Sequence, residues 1–275
     1  MRSIWRSLFQ FFGLACLISW GVWLPLYLPA FGYHGLPVLP LHHALGGLGP
    51  MIAAFWMSVR EKKQRALFTS LYKWRPLFYV LIALISPFLL NVAASVLVYF
   101  RIGQIPDLTV WGTSREFPHW TGITFFLYNL LFFGFGEETG WRGYVLPRLQ
   151  GKFEALPASL ILAGFWALWH LPLFFYRPGY VDMNMAGITG WILSLATGSV
   201  LLSWLLNSSG GSLLVCAIFH ATVDIAFTSR FSAPDMVAYT GMLITIWGVF
   251  TIIRFKPRNL SSGNRVIALS SEEHI

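Results

Sequence analysis

The chain has 275 residues, of which 56% are hydrophobic and only 11% charged, against roughly 25% charged in an ordinary soluble domain. That composition excludes a soluble globular enzyme and a disordered or fibrous chain, and it holds apolar length for about eight spans of ~20 residues each. The formal net charge of +8 has to be judged by where the Lys and Arg residues fall along the chain.

Proline, glycine and charge clusters divide the sequence into predicted spans at Leu8–Leu28, His42–Val59, Pro76–Phe100, Trp120–Gly140, Pro157–Tyr176, Gly187–Leu206, Ser212–Ser229 and Asp235–Ile253. The first follows Arg2 and Arg6, as a signal peptide would. Its apolar stretch is longer than a signal core of ~7–15 residues, and no A-x-A site follows, so it reads as a retained span. Cys16 and Cys216 both lie inside apolar runs and outside any metal-ligand spacing, which suits packing residues. The expected architecture is all-α and polytopic, one integral membrane domain over residues 1–275 with no second domain.

An even number of spans places both termini on one side. Arg2 and Arg6, then Arg60, Lys62, Lys63, Arg65, Lys73 and Arg75, then Arg142, Arg148 and Lys152, and finally Arg254, Lys256, Arg258 and Arg265 put fifteen basic residues there. Only Arg101, Arg115, Arg177 and Arg230 fall on the other side. This asymmetry predicts cytoplasmic N- and C-termini. Anionic headgroups facing these loops account for the basic charge, the segment 60–75 reads as a lipid-facing loop, and nothing resembles a nucleic-acid-binding motif.

Ionisable residues at membrane depth are costly and normally face a cavity or one another. Glu137, Glu138, His170, His220 and Asp224 all fall within predicted spans or at their ends. Glu137 and Glu138 are helical neighbours, so their side chains diverge by ~100°. Arg142 lies four residues after Glu138 and can pair with it, which leaves Glu137 pointing elsewhere. His220 and Asp224 share one helix face by the same spacing. Pro172 can bend or end the helix just after His170. Asn91 and Asn129 read as interhelical hydrogen-bonding groups, the aromatic run 125–135 as packing, and His34, His42, His43 and His119 as interfacial residues.

This set suits water activation. A carboxylate and an imidazole can take a proton from water while another imidazole stabilises the developing oxyanion. The same residue types could instead bind a divalent metal. No HExxH and no GxSG sequence is present. A proton-relaying carrier and a non-catalytic scaffold or immunity factor are alternatives from other functional classes; no repeated halves or paired broken helices support the carrier.

The run from Glu137 through Glu138, Thr139, Gly140 and Trp141 to Arg142 resembles the EExxxR motif of the CPBP intramembrane proteases, the CAAX protease and bacteriocin-processing (Abi) family that includes the Rce1-type CAAX prenyl endopeptidases. Trp166 to His170 resembles the family's FxxxH motif, with Trp in place of Phe, and His220 to Asp224 its HxxxN/D motif. The likeness covers about residues 120–229. It implies a bundle of about eight transmembrane helices around a membrane-embedded catalytic cavity open to the cytoplasm, in a bacterial plasma membrane. In that reading Glu137 and His170 activate water, His220 and Asp224 complete the oxyanion or metal side, and Glu138 and Arg142 support the first helix. The preferred version needs no cofactor; the alternative places zinc on Glu137, His170 and His220. The implied partners are the lipid bilayer and a peptide or protein substrate, prenylated, leader-type or drawn from a membrane protein.

Depth poses a geometric problem. At 1.5 Å per residue Glu137 lies about 26 Å from the outer end of its predicted span, whereas His170 lies about 20 Å from the cytoplasmic end of the next. They meet only if that next span starts outside the bilayer or the helices are tilted or broken.

Overall fold

A computed structural model of the chain describes residues 2–74 and 76–268, with side chains from residue 4 onward. Arg75, counted above in the basic connection, lies outside the described residues. Among these residues the regular structure is helical, apart from one isolated antiparallel bridge between Ser114 and Ser229. The α-helices are α1 (Arg2–Tyr27), α2 (His42–Gly47), α3 (Gly49–Arg60), α4 (Gln64–Leu71), α5 (Leu77–Ile102), α6 (Gly122–Asn129), α7 (Gly136–Gly140), α8 (Leu146–Gln150), α9 (Ala155–Trp169), α10 (Met185–Ser208), α11 (Leu213–Thr228) and α12 (Pro234–Asn259). Two π-helical segments, Leu130–Phe135 and Trp141–Val145, join α6, α7 and α8 into one rod over residues 122–150.

Five segments are long and apolar enough to cross a membrane: Ile4–Phe31, Leu77–Ile102, Ala155–Phe175, Met185–Ser208 and Pro234–Asn259. Each matches a predicted span. The other three predicted spans are also helical, with different shapes. His42–Val59 is split at Leu48, where α2 stops and α3 restarts with Pro50 in its first turn. Trp120–Gly140 runs on as the rod to Gln150, and α11 has 16 residues. Leu17, Phe78, Phe100 and Ile253 point outward, as an apolar exterior in contact with hydrocarbon requires.

Local chemistry sets the helix ends. The side chains of Thr121, Asn184 and Ser212 accept backbone N–H groups at the starts of α6, α10 and α11. Pro172 cannot continue the α-helical ladder, so α9 stops at Trp169 and the chain turns through His170 into a 3-10 helix over Leu171–Phe175. The bend anticipated after His170 is present.

Packing puts the rod at the centre. Its α7 turn lies against α3 and α11, α11 packs on α5, and α9 packs on α10. The α9–α10 contact is closed by serines: Ser159 Oγ bonds Ser203 Oγ at 2.7 Å, and Ser199 Oγ donates to the Ser159 carbonyl at 3.0 Å. Small hydroxyl residues let apolar helices approach where no hydrophobic gain separates helix contact from lipid contact.

The segment 60–75 is more structured than a lipid-facing loop. It contains α4, whose Leu67 is buried, and Glu61, which accepts Tyr144 Oη at 2.6 Å and pairs with Arg148. Asn91 makes the anticipated interhelical bond, to Thr240 at 2.9 Å, and also accepts the indole N–H of Trp111, in the following connection, at 2.8 Å. Asn129 does not: its amide donates within its own helix, to the Phe125 carbonyl at 2.8 Å. His42 and His43 are structural as well, bonding the Val22 carbonyl at 2.6 Å and Tyr176 Oη at 2.8 Å. Both cysteines are free and buried.

Candidate active site

The EExxxR sequence occupies α7 and the π-helical turn after it. Inserted π turns change the rotation of side chains along a helix and are common at functional sites. Close approach fixes the level of this turn against its neighbours. A Cβ on Gly136 would lie 2.7 Å from the Gly47 carbonyl oxygen, and one on Gly140 would lie 2.6 Å from Pro50 Cβ and 2.8 Å from its carbonyl oxygen. Only glycine allows α7 to lie this near α3.

Glu138 and Arg142 form the expected i,i+4 pair, with Nη1 to Oε1 at 3.1 Å and both side chains fully buried. Arg142 was counted from the sequence with the basic connection as well; its burial assigns it to the site. The structure adds a third member to the pair. His220 Nδ1 lies 2.6 Å from the same Glu138 Oε1. An ionised carboxylate only accepts, so this bond puts a proton on Nδ1 and turns Nε2 to the opposite side of the ring. There Nε2 faces Asp224 Oδ2 at 3.6 Å and Glu137 Oε1 at 3.9 Å.

Glu137 is likewise buried and diverges from Glu138 as the helix geometry requires. Its Oε2 accepts the Trp166 indole N–H at 2.6 Å. Trp166 lies one helical turn before His170, whose Nδ1 is 2.7 Å from the Trp166 carbonyl oxygen. A carbonyl also only accepts, so His170 carries its proton on Nδ1 and leaves Nε2 as the acceptor. Trp169, Tyr180 and Trp191 surround that imidazole, with ring centroids 4.9, 6.3 and 5.9 Å away.

The structure thus brings all six sequence-derived residues into one neighbourhood, with altered pairings. Glu138, read as a clamp for Arg142, also orients His220. Asp224 lies on the reactive side of His220 beyond hydrogen-bonding distance. Among the described residues no carboxylate pairs with His170, and Trp166 connects it to Glu137. The Trp that stands in place of the motif Phe is the sequence signal for this added donor.

Glu137, His170 and His220 are the residues that would hold zinc in the metal-dependent alternative. Among the described residues no three His, Cys, Asp or Glu side chains are grouped so as to hold a metal ion. A zinc centre needs three protein donors converging at about 2 Å from one point.

The depth problem resolves through the rod. From Glu137 to the end of α8 is about 20 Å along the helix, and from the start of α9 to Trp166 about 17 Å. The two arms of this antiparallel hairpin therefore carry Glu137 and Trp166 to the same level. The helix continues ten residues past the predicted span end at Gly140, where Arg142 and Arg148 lower the hydropathy; burial against Glu138 and pairing with Glu61 accommodate these charges.

Residues 118–226 match the family model of the Rce1-like type II CAAX prenyl endopeptidases. The chain is also 29% identical over 124 residues to CAAX prenyl protease 2 of Methanococcus maripaludis, a match covering 42% of this chain and 46% of the relative. The likeness to Rce1-type CAAX proteases drawn from the three motifs is borne out for this region. The match spans less than half of the relative's length.

Proposed function

With an Rce1-like core over residues 118–226 as the premise, we propose that this protein is an intramembrane endopeptidase that hydrolyses peptide bonds with a water activated by Glu137 and His170, without a metal. The observation that carries this reading is the buried set in which Glu138 fixes His220 so that Nε2 faces Glu137.

In this mechanism Glu137 takes a proton from water, and the oxygen attacks the carbonyl carbon of the scissile bond. His170, its Nδ1–H held by the Trp166 carbonyl, offers Nε2 as acceptor for the water's second hydrogen and orients the attack. His220, protonated on both nitrogens and balanced by Glu138, donates Nε2–H to the oxyanion. The Asp224 carboxylate helps hold the positive charge on His220. When the tetrahedral intermediate collapses the C–N bond breaks, and Glu137 returns its proton to the leaving nitrogen. Arg142 balances Glu138 and keeps it ionised at a site remote from water.

The proposed setting is an eight-span bundle in a bacterial plasma membrane, with both termini in the cytoplasm and the catalytic cavity open to that side. The name of the Methanococcus maripaludis relative favours prenylated CAAX-type peptides as substrate over leader peptides and membrane-protein segments. The test compares membranes carrying wild-type protein and Glu137→Gln. An internally quenched prenylated peptide ending in a CAAX sequence is supplied, and released native fragments are catalogued in parallel. Cleavage by the wild type alone supports the assignment. Equal fragment profiles in both membranes refute it, and proteoliposome flux dependent on Glu137 without cleavage would replace it with a carrier.

A further inference from the structure

Trp166 touches Glu137, His170, His220 and Arg142 without itself being an acid or a base. Its indole N–H lies 2.6 Å from Glu137 Oε2, and its carbonyl accepts His170 Nδ1 at 2.7 Å. Its ring lies 5.6 Å from the His170 ring and 5.7 Å from that of His220, and the Arg142 guanidinium carbon is 4.6 Å from its centroid. With only 8% of its surface exposed, the indole has little freedom to turn away.

A glutamate carboxylate is carried on three rotatable bonds, and the last of these is soft. Glu137 Oε1 lies 3.9 Å from His220 Nε2, beyond hydrogen-bonding distance, so among the described residues the indole bond at Oε2 is the contact that selects its rotamer. It consumes one carboxylate oxygen and leaves the other facing His220 and Asp224. Phenylalanine, the residue that the motif resemblance places here, fills the same space but offers no donor.

We propose that Trp166 is a positioning residue in this chain: its N–H fixes the Glu137 carboxylate, and its carbonyl sets the tautomer of His170, so one residue aligns both groups that act on water. The catalytic consequence rests on the peptidase reading given above; the hydrogen bond can be measured without it.

Two measurements test the proposal. In purified Trp166→Phe, turnover of the quenched prenylated CAAX-type peptide should fall about 10- to 100-fold in kcat, as expected for losing a hydrogen bond to a charged group, with KM within about twofold. A packing role would predict a destabilised protein with unchanged kcat per folded molecule. Ultraviolet resonance Raman supplies the second measurement. The spectrum of wild type minus Trp166→Phe isolates the Trp166 N–H marker mode from those of the other tryptophans, and Glu137→Gln should shift that mode towards weaker hydrogen bonding. An unchanged kcat in folded Trp166→Phe, or an unmoved marker mode in Glu137→Gln, overturns the proposal. If Trp166→Phe does not fold, the wild-type and Glu137→Gln spectra decide it. If the wild type cleaves no peptide, the peptidase reading fails, and the marker mode alone shows whether Trp166 holds Glu137.

Discussion

Glu138 and His220 lie 82 residues apart in the chain, and their Oε1 and Nδ1 atoms are 2.6 Å apart in the structure. Because Oε1 also accepts Arg142, one carboxylate oxygen joins the helix-local clamp to the imidazole of another helix. The helix-local clamp and the orientation of His220 thus meet at a single atom.

Glu138→Gln should damage both functions. It strands Arg142, fully buried, without its counter-charge, and breaking one side of a buried pair costs about 3–5 kcal/mol. Denaturant unfolding in detergent should show that loss together with at least a tenfold fall in activity. In the double variant Glu138→Gln/Arg142→Met stability should partly return and activity should not. Recovery of both would mean that His220 does not depend on Glu138.

Glu137→Gln should separate chemistry from folding. The amide oxygen still accepts the Trp166 N–H and the shape is kept, so the unfolding midpoint should stay near that of the wild type. Loss of the base should reduce turnover on the order of 10²–10⁴-fold.

His220→Gln divides the direct mechanism from a zinc mechanism. Gln can still donate one hydrogen bond to an oxyanion, so a partial loss of roughly 10²–10³-fold is expected. Activity of the wild type should tolerate a strong chelator, and elemental analysis should find far less than one metal per chain. Stoichiometric zinc in wild type that disappears with His220→Gln would establish a metal enzyme instead.

Two glycine substitutions should have opposite signs. Gly140→Ala drives its Cβ against Pro50 at 2.6 Å and should cost about 1–3 kcal/mol by overpacking. It should also lower activity by moving α7 away from α3. Gly164→Ala lies within α9 with no neighbouring atom inside 4 Å of the added Cβ, so helix propensity should stabilise it by about 0.5–1 kcal/mol. Equal thermal shifts for the two would contradict the close packing at α7.

Some of this protein was decided along the chain itself. A hydrophobic majority with so few charges requires helices for a hydrocarbon environment, because backbone groups there must be satisfied within each segment. The Glu138–Arg142 pair, the shared face of His220 and Asp224, the divergence of Glu137 from Glu138 and the break after His170 all follow from helical repeat or from proline. Each spans at most a turn or so, and that is the range over which spacing fixes geometry.

The tertiary structure decided the rest. Hydropathy could not extend the rod through Arg142 and Arg148, since a charge lowers the score whether it faces water or a buried carboxylate. Nor could spacing show that Trp166 reaches Glu137 or that Glu138 turns His220, because such contacts depend on how the helices are levelled against one another. That levelling rests on Gly136 and Gly140 lying against Gly47 and Pro50 and on the matched arms of the hairpin. Residue order set which chemical groups the apolar helices carry; packing set which atoms they present to one another, because interhelical distance follows from the steric fit of several segments at once.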